Sequence, residues 1–100
     1  MIDIEPEQLA LLKRVLETHL VPNTSVYAFG SRTNGTARKF SDLDLMVKGQ
    51  QSLTTQEKIQ LQEAFVESNL SFRVDISDWF AISESFKTAI KDKLQLIMSN

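Results

Sequence analysis

The sequence predicts an α+β fold, an α/β sandwich in which a small three-stranded mixed sheet is packed with helices. Three observations predict it. Leucines near the N-terminus recur at spacings of three and four, the period of a helix. Three short apolar stretches, residues 25–29, 43–48 and 72–76, are rich in strand formers. These stretches interleave with helical patterns in the order helix, strand, strand, helix, strand, helix, which calls for helices laid on a sheet.

The first helix is expected over Pro6–His19. Pro6 suits the first helical turn, where its missing N–H is no loss. Leu9, Leu12, Leu16 and Leu20 form one apolar stripe, and Pro22 and Asn23 end the helix. His19, the only histidine, falls in the last turn, where positive charge is favourable; it reads as structural. Ser25–Phe29 is the first strand, stopped by Gly30, with Tyr27 read as packing. Residues 30–41 connect it to the second strand, Leu43–Lys48, with a helical turn expected near Ser31. Gly49–Leu53 is a polar turn. Thr54 and Glu57 then have the spacing of a capping box, opening a helix to about Ser68 with Leu61, Ala64 and Phe65 inward.

Phe72–Ile76 is the third expected strand, with Phe72, Val74 and Ile76 on one face and Arg73 and Asp75 on the other. Trp79 and Phe80 read first as core, and second as an exposed patch for a partner. Ser83 is expected to cap a last helix whose Phe86, Ile90, Leu94 and Ile97 make a single stripe.

The totals narrow the function classes. One hundred residues allow one domain, 1–100. With no cysteine, disulfides and thiolate metal sites are excluded. No apolar run is long enough to span a bilayer and no signal-peptide pattern opens the chain, so a cytoplasmic protein without membrane partners is expected. A net charge of -2 argues against non-specific nucleic-acid binding. A core this small leaves room for a homo- or hetero-oligomer.

The chemistry is concentrated in GSRTNGTARKFSDLDL, Gly30 to Leu45. Asp42 and Asp44 are two apart on a strand, so both carboxylates leave the same face, with Cα atoms roughly 6.5 Å apart. Leu43 and Leu45 point the other way and anchor the strand. Like charges this close repel unless a cation joins them, and magnesium favours hard oxygen ligands shared with substrate phosphates. If the third strand neighbours the second, Asp75 completes a three-carboxylate cluster able to hold two metal ions. Such a pair clamps the entering and leaving oxygens of an in-line displacement. Asp75 is also placed to take the proton of an acceptor hydroxyl. At the other end, Gly30 lets the backbone approach a ligand closely. Ser31 offers a hydroxyl, and amides following it would face phosphates. Arg32, Arg38 and Lys39 add positive charge, and Gly35 keeps the loop tight. Each feature alone is commonplace: a Gly-Ser turn, a solvated Asp-x-Asp, one later aspartate. Their fixed order is much more specific.

That order resembles the signature of the DNA polymerase beta nucleotidyltransferase superfamily, Gly-Ser followed by Asp-x-Asp. The chain looks like the minimal nucleotidyltransferases of that superfamily from about Pro6 to Ile90. FRVDISDW, Phe72–Trp79, is similar to the third-aspartate segment of that group, and SESF, Ser83–Phe86, to the helix after it. The resemblance implies that Gly30, Ser31 and Arg32 bind the nucleotide, that Asp42 and Asp44 hold magnesium, and that Asp75 is the third catalytic carboxylate. Lys39 and Ser71 depart from the group, standing where proline is frequent; neither belongs to the expected metal cluster. The resemblance further implies an ATP substrate and a HEPN-domain partner. In such pairs the nucleotidyltransferase is the antitoxin, and it transfers AMP to a tyrosine hydroxyl of the HEPN toxin. Two other readings compete: a non-catalytic antitoxin that neutralises its partner by covering it, and a transfer subunit whose acceptor is an antibiotic or RNA.

Overall fold

Burial of one apolar face organises the chain. A computed structural model describes residues 4–20, 22–30 and 42–99. Its elements are α1 (Pro6–His19), β1 (Ser25–Phe29), β2 (Leu43–Lys48), α2 (Thr55–Glu67), β3 (Val74–Asp78), α3 (Glu84–Ile90) and β4 (Gln95–Ser99). The sheet order is β3-β2-β1-β4. β1 pairs antiparallel with both β2 and β4, and β2 pairs parallel with β3. The sheet is therefore mixed, as expected, with α2 as the crossover that parallel neighbours require.

Alternation assigns the two faces. Val26 and Ala28 of β1, Leu43, Leu45 and Val47 of β2, and Val74 and Ile76 of β3 are buried in one cluster with Leu12 and Leu16 of α1 and Leu61 and Phe65 of α2. The stripe read on α1 is thus the stripe that packs: Leu12 and Leu16 are fully buried, while Leu9 and Leu20 lie partly buried at its margins. Asn23, after α1, has φ 62°, a left-handed conformation that asparagine tolerates better than most residues. The capping box also forms. Thr54 Oγ1 accepts the Glu57 N–H at 3.0 Å, and Glu57 Oε1 accepts the Thr54 N–H at 2.9 Å.

Three expectations are corrected. The sheet has four strands rather than three, because residues 95–99 form β4 instead of continuing the last helix. α3 spans only seven residues, capped by Ser83 Oγ accepting the Phe86 N–H, and a turn at 91–93 redirects the chain. A helix that short gains little from propagation, whereas the free edge of β1 offers a ladder of hydrogen bonds. The pairing register shifts between Val26 and Tyr27, which places Ile97 and Met98 against the core as consecutive residues. The Ile90, Leu94, Ile97 spacing therefore spans a helix end and a strand.

Second, β3 runs from Val74 to Asp78, two residues later than expected, and Phe72 precedes it. Its start is set by β2, because Leu43 pairs with Val74. An aspartate closes the strand on the core face, and its environment explains why. Asp78 is buried; Oδ2 accepts the Leu53 N–H at 2.8 Å and Oδ1 the Phe80 N–H at 3.1 Å. Third, Trp79 and Phe80 do not enter the core: Trp79 is partly buried and Phe80 is 46% exposed. Among the described residues, no helix is long and apolar enough to cross a membrane.

Replacing Asp78 with alanine strands two amide donors, one of them in the loop before α2. We expect Asp78→Ala to lower unfolding free energy by about 2–3 kcal/mol in urea titrations. Asp78→Asn keeps one acceptor and should lose less than half of that.

Candidate active site

The face opposite the core carries the acidic residues. On β2, Leu43 and Leu45 are fully buried, and Asp44 between them is turned to the outer face. The β2–β3 register sets Asp44 directly against Asp75, at the roughly 4.8 Å spacing of neighbouring strands. Leu43 also donates its N–H to the Arg73 carbonyl at 2.8 Å, which locks the start of that register. Asp42, one residue before β2, is exposed, as is Asp75. The β1–β2 register sets Phe29 opposite Asp44, so the turn at Gly30 begins beside the same carboxylate. The structure thus brings together Gly30, Asp42, Asp44 and Asp75. Ser31 and Arg32 lie outside the described residues, together with the expected helical turn and Gly35, Arg38 and Lys39.

The electrostatics are those of a crowded anion. Asp44 holds its proton above the ordinary carboxylate range, first because it is partly buried, then because Asp75 and Asp42 stand nearby. Asp44 senses both neighbouring charges, yet among the described residues no three His, Asp or Glu side chains close on a common point as a metal centre. The donor set nevertheless suits magnesium. It is all hard oxygen, and it leaves most coordination positions for water or phosphate.

Gly30 is fitted to this arrangement for two reasons. Its φ is 86°, a conformation that side chains rarely adopt. An added Cβ would also overlap Oδ2 of Asp44. Only glycine lets the backbone turn here without displacing the acid.

Two cavities flank the carboxylates. One, of about 460 Å³, adjoins Gly30 and is walled by Phe29, Phe86, Ile90 and Leu94. Phe29 and Phe86 meet edge to face there, with centroids 6.0 Å apart. The other, of about 560 Å³, lies on the β3 side and includes both Asp42 and Asp75. Its further walls include Val66 of α2 and Phe72 and Arg73 before β3, residues that sequence reasoning did not place at a site. A usable signal was present in Arg73, which lies two residues before Asp75 and so shares its side of the chain.

Comparison with known proteins follows the same outline. The family described as "Polymerase beta, Nucleotidyltransferase" matches residues 11–100. A probable protein adenylyltransferase, MntA, of Haemophilus influenzae is 46% identical over 90 residues, covering 90% of this chain and 78% of the relative. Among solved structures, a toxin–antitoxin with AMP-PNP superposes with a TM-score of 0.76 at 20% identity, over 92% of this chain and 73% of that one. A complex of the tri-AMPylated Shewanella oneidensis HEPN toxin with its MNT antitoxin gives 0.72 at 16% identity, over 97% and 74%. The structural likenesses carry the fold. With a family match reaching from α1 to the last residue, and identity sustained along most of both chains, the protein belongs to the polymerase beta nucleotidyltransferase family.

Proposed function

We propose that this protein is a magnesium-dependent adenylyltransferase that moves AMP from ATP to a hydroxyl of a HEPN-type toxin, most simply a tyrosine, and so acts as its antitoxin. The observation that carries the reading is the pairing of Asp44 with Asp75 beside the Gly30 turn, in a chain closely related to MntA. We place the activity in the cytoplasm, where ATP is made; a chain without cysteine loses nothing there.

In this reading the backbone at Gly30, with Ser31 and Arg32 beyond it, grips the β- and γ-phosphates. Asp42, Asp44 and Asp75 would hold two magnesium ions, which when bound neutralise the triphosphate and favour ionisation of the attacking hydroxyl. The acceptor oxygen bonds to the α-phosphorus, the bond from that phosphorus to its bridging oxygen breaks, and pyrophosphate leaves. Asp75, exposed and at the edge of the cluster, takes the hydroxyl proton.

Two measurements test this. With radiolabelled ATP, magnesium and a HEPN-type partner protein, label should appear on that partner. Asp75→Asn should slow labelling by about 10²–10⁴-fold, and Asp44→Asn should reduce it to background, while both variants still co-elute with the partner. Neutralisation of the toxin by Asp44→Asn as complete as by the unaltered chain would instead favour simple covering.

The second test reads stability without activity. Because the Asp44 pKa is raised on folding, the stability that goes with its protonated form is complete below the unfolded-state pKa. That stability is lost as pH rises through the folded-state value. Asp44→Asn should therefore melt higher than the unaltered protein at neutral pH, and the advantage should vanish in acid. Magnesium should raise the neutral-pH melting temperature of the unaltered protein more than that of Asp44→Asn. Equal shifts in both would remove Asp44 from the ion site.

A further inference from the structure

Strand order gives the reaction a direction. Gly30 leaves β1, Asp44 is on β2 and Asp75 is on β3, in that spatial sequence. In an in-line displacement the attacking oxygen arrives opposite the leaving group. If the pyrophosphate end is held at Gly30, the acceptor must approach from the β3 side. The cavity of about 560 Å³ lies there, and Asp42 and Asp75 are part of its lining.

The walls of this groove are tied by hydrogen bonds. Gln62 Nε2 donates to the Val74 carbonyl at 2.7 Å, fixing α2 against the start of β3. Ser68 Oγ donates to the Phe65 carbonyl at 2.6 Å, and the Ser71 N–H reaches Gln8 Oε1 of α1 at 2.8 Å, so the segment before β3 is tied at two points. The lining is unusual for a free surface. Val66 is 77% exposed, the most exposed large apolar side chain among the described residues, and Phe72 and Leu70 are only partly buried. Arg73 is the cation in this lining, beside two carboxylates. Apolar side chains, one cation and two carboxylates sharing a lining fit a particular occupant.

We propose that this groove, between α2 and the segment leading into β3, docks a tyrosine-bearing segment of the acceptor protein, with the phenol ring on Val66 and Phe72 and an acidic neighbour of the tyrosine paired with Arg73. The assignment rests on the adenylyltransferase reading above. Val66 and Phe72 supply apolar contact, Arg73 sets polarity and register, and the phenolic oxygen reaches Asp75. The phenol gives its proton to that carboxylate as its oxygen bonds to the α-phosphorus, and pyrophosphate departs toward Gly30.

Two arms test the groove. In the first, a short peptide with tyrosine beside aspartate is titrated into the ¹⁵N-labelled full chain holding a non-hydrolysable ATP analogue and magnesium. Amide shifts should cluster at Val66, Leu70, Phe72 and Arg73, and should shrink when lysine replaces the aspartate. In the second, transfer to the HEPN-type protein is measured for Val66→Arg and Arg73→Gln, both at exposed positions. Each should lower kcat/KM about tenfold or more through KM for the protein acceptor, with affinity for the ATP analogue unchanged. Peptide shifts confined to another face, or full transfer by both variants, would overturn the groove while leaving the adenylyltransferase reading intact. Loss of nucleotide affinity in both variants would make the groove the nucleoside end and also overturn it. Peptide binding in the groove without any transfer by the unaltered chain would uphold the docking site and sink the enzymatic reading.

Discussion

Two carboxylates, Asp44 and Asp75, face each other across a parallel strand pair. Left alone, such a pairing weakens a sheet, because like charges directly opposite repel. What holds it is the other face of the same two strands. Leu43 opposes Val74 and Leu45 opposes Ile76, and all four are buried. A slip of one residue would turn these apolar side chains to solvent and drive the acids into the core. Burial on one face therefore fixes the acidic register on the other, and the repulsion is tolerated because the alternative costs more.

The ends of β3 are fastened by different means. At its start, the Arg73 carbonyl takes the Leu43 N–H and the Val74 carbonyl takes the Gln62 amide. At its end, Asp78 gathers the Leu53 and Phe80 amides, and Trp79 donates its N–H to Val47 at 3.0 Å. Lys48 and Lys87 both stand over the Trp79 ring, 5.0 and 5.4 Å from its centre. An aspartate buried at the strand end is thus a clamp on backbone donors, while Asp44 near the strand start answers to its partial burial and to the charges of Asp75 and Asp42. Local hydrogen bonding, rather than residue type, separates the structural acid from the acids of the candidate site.

Much of this was legible in the chain because it depends on short-range patterns. The leucine stripe of α1, the Thr54–Glu57 box and the alternation of Leu43, Asp44 and Leu45 are each decided within a few residues, and each stands in the structure. The C-terminal stretch was not, because its fate is decided by a distant strand. Nothing local tells Gln95–Ser99 that β1 has an open edge, and an apolar run of that length is compatible with helix or strand. The shifted limits of β3 have the same origin, being set by where β2 begins. Phe80 misled through its type: a large apolar side chain after a strand suggests core, but the Asp78 clamp turns the backbone at that point and leaves the ring outside. Val66 was invisible as part of a groove, since it meets the segment before β3 only when α2 folds back along it, whereas Arg73 shared its side of the chain with Asp75.

The same strand order would account for a division of labour across the sheet in the proposed reaction. β1 is an interior strand, paired on one side by β2 and on the other by β4, so the backbone entering Gly30 is held from both sides. A turn that must approach a phosphate closely benefits from such rigidity, because its geometry cannot be recovered by side-chain adjustment. β3, in contrast, is an edge strand, and its free side opens onto α2 and the loop before it. A small nucleotide can be gripped in the rigid middle of a sheet, but a hydroxyl carried on another protein needs an approach clear of backbone. In the proposed reaction the edge would supply that approach, with the carboxylates of β2 and β3 between the two. β4 then has a role beyond added burial: by closing the side of β1 away from Asp44, it leaves β3 as the acidic edge of the sheet.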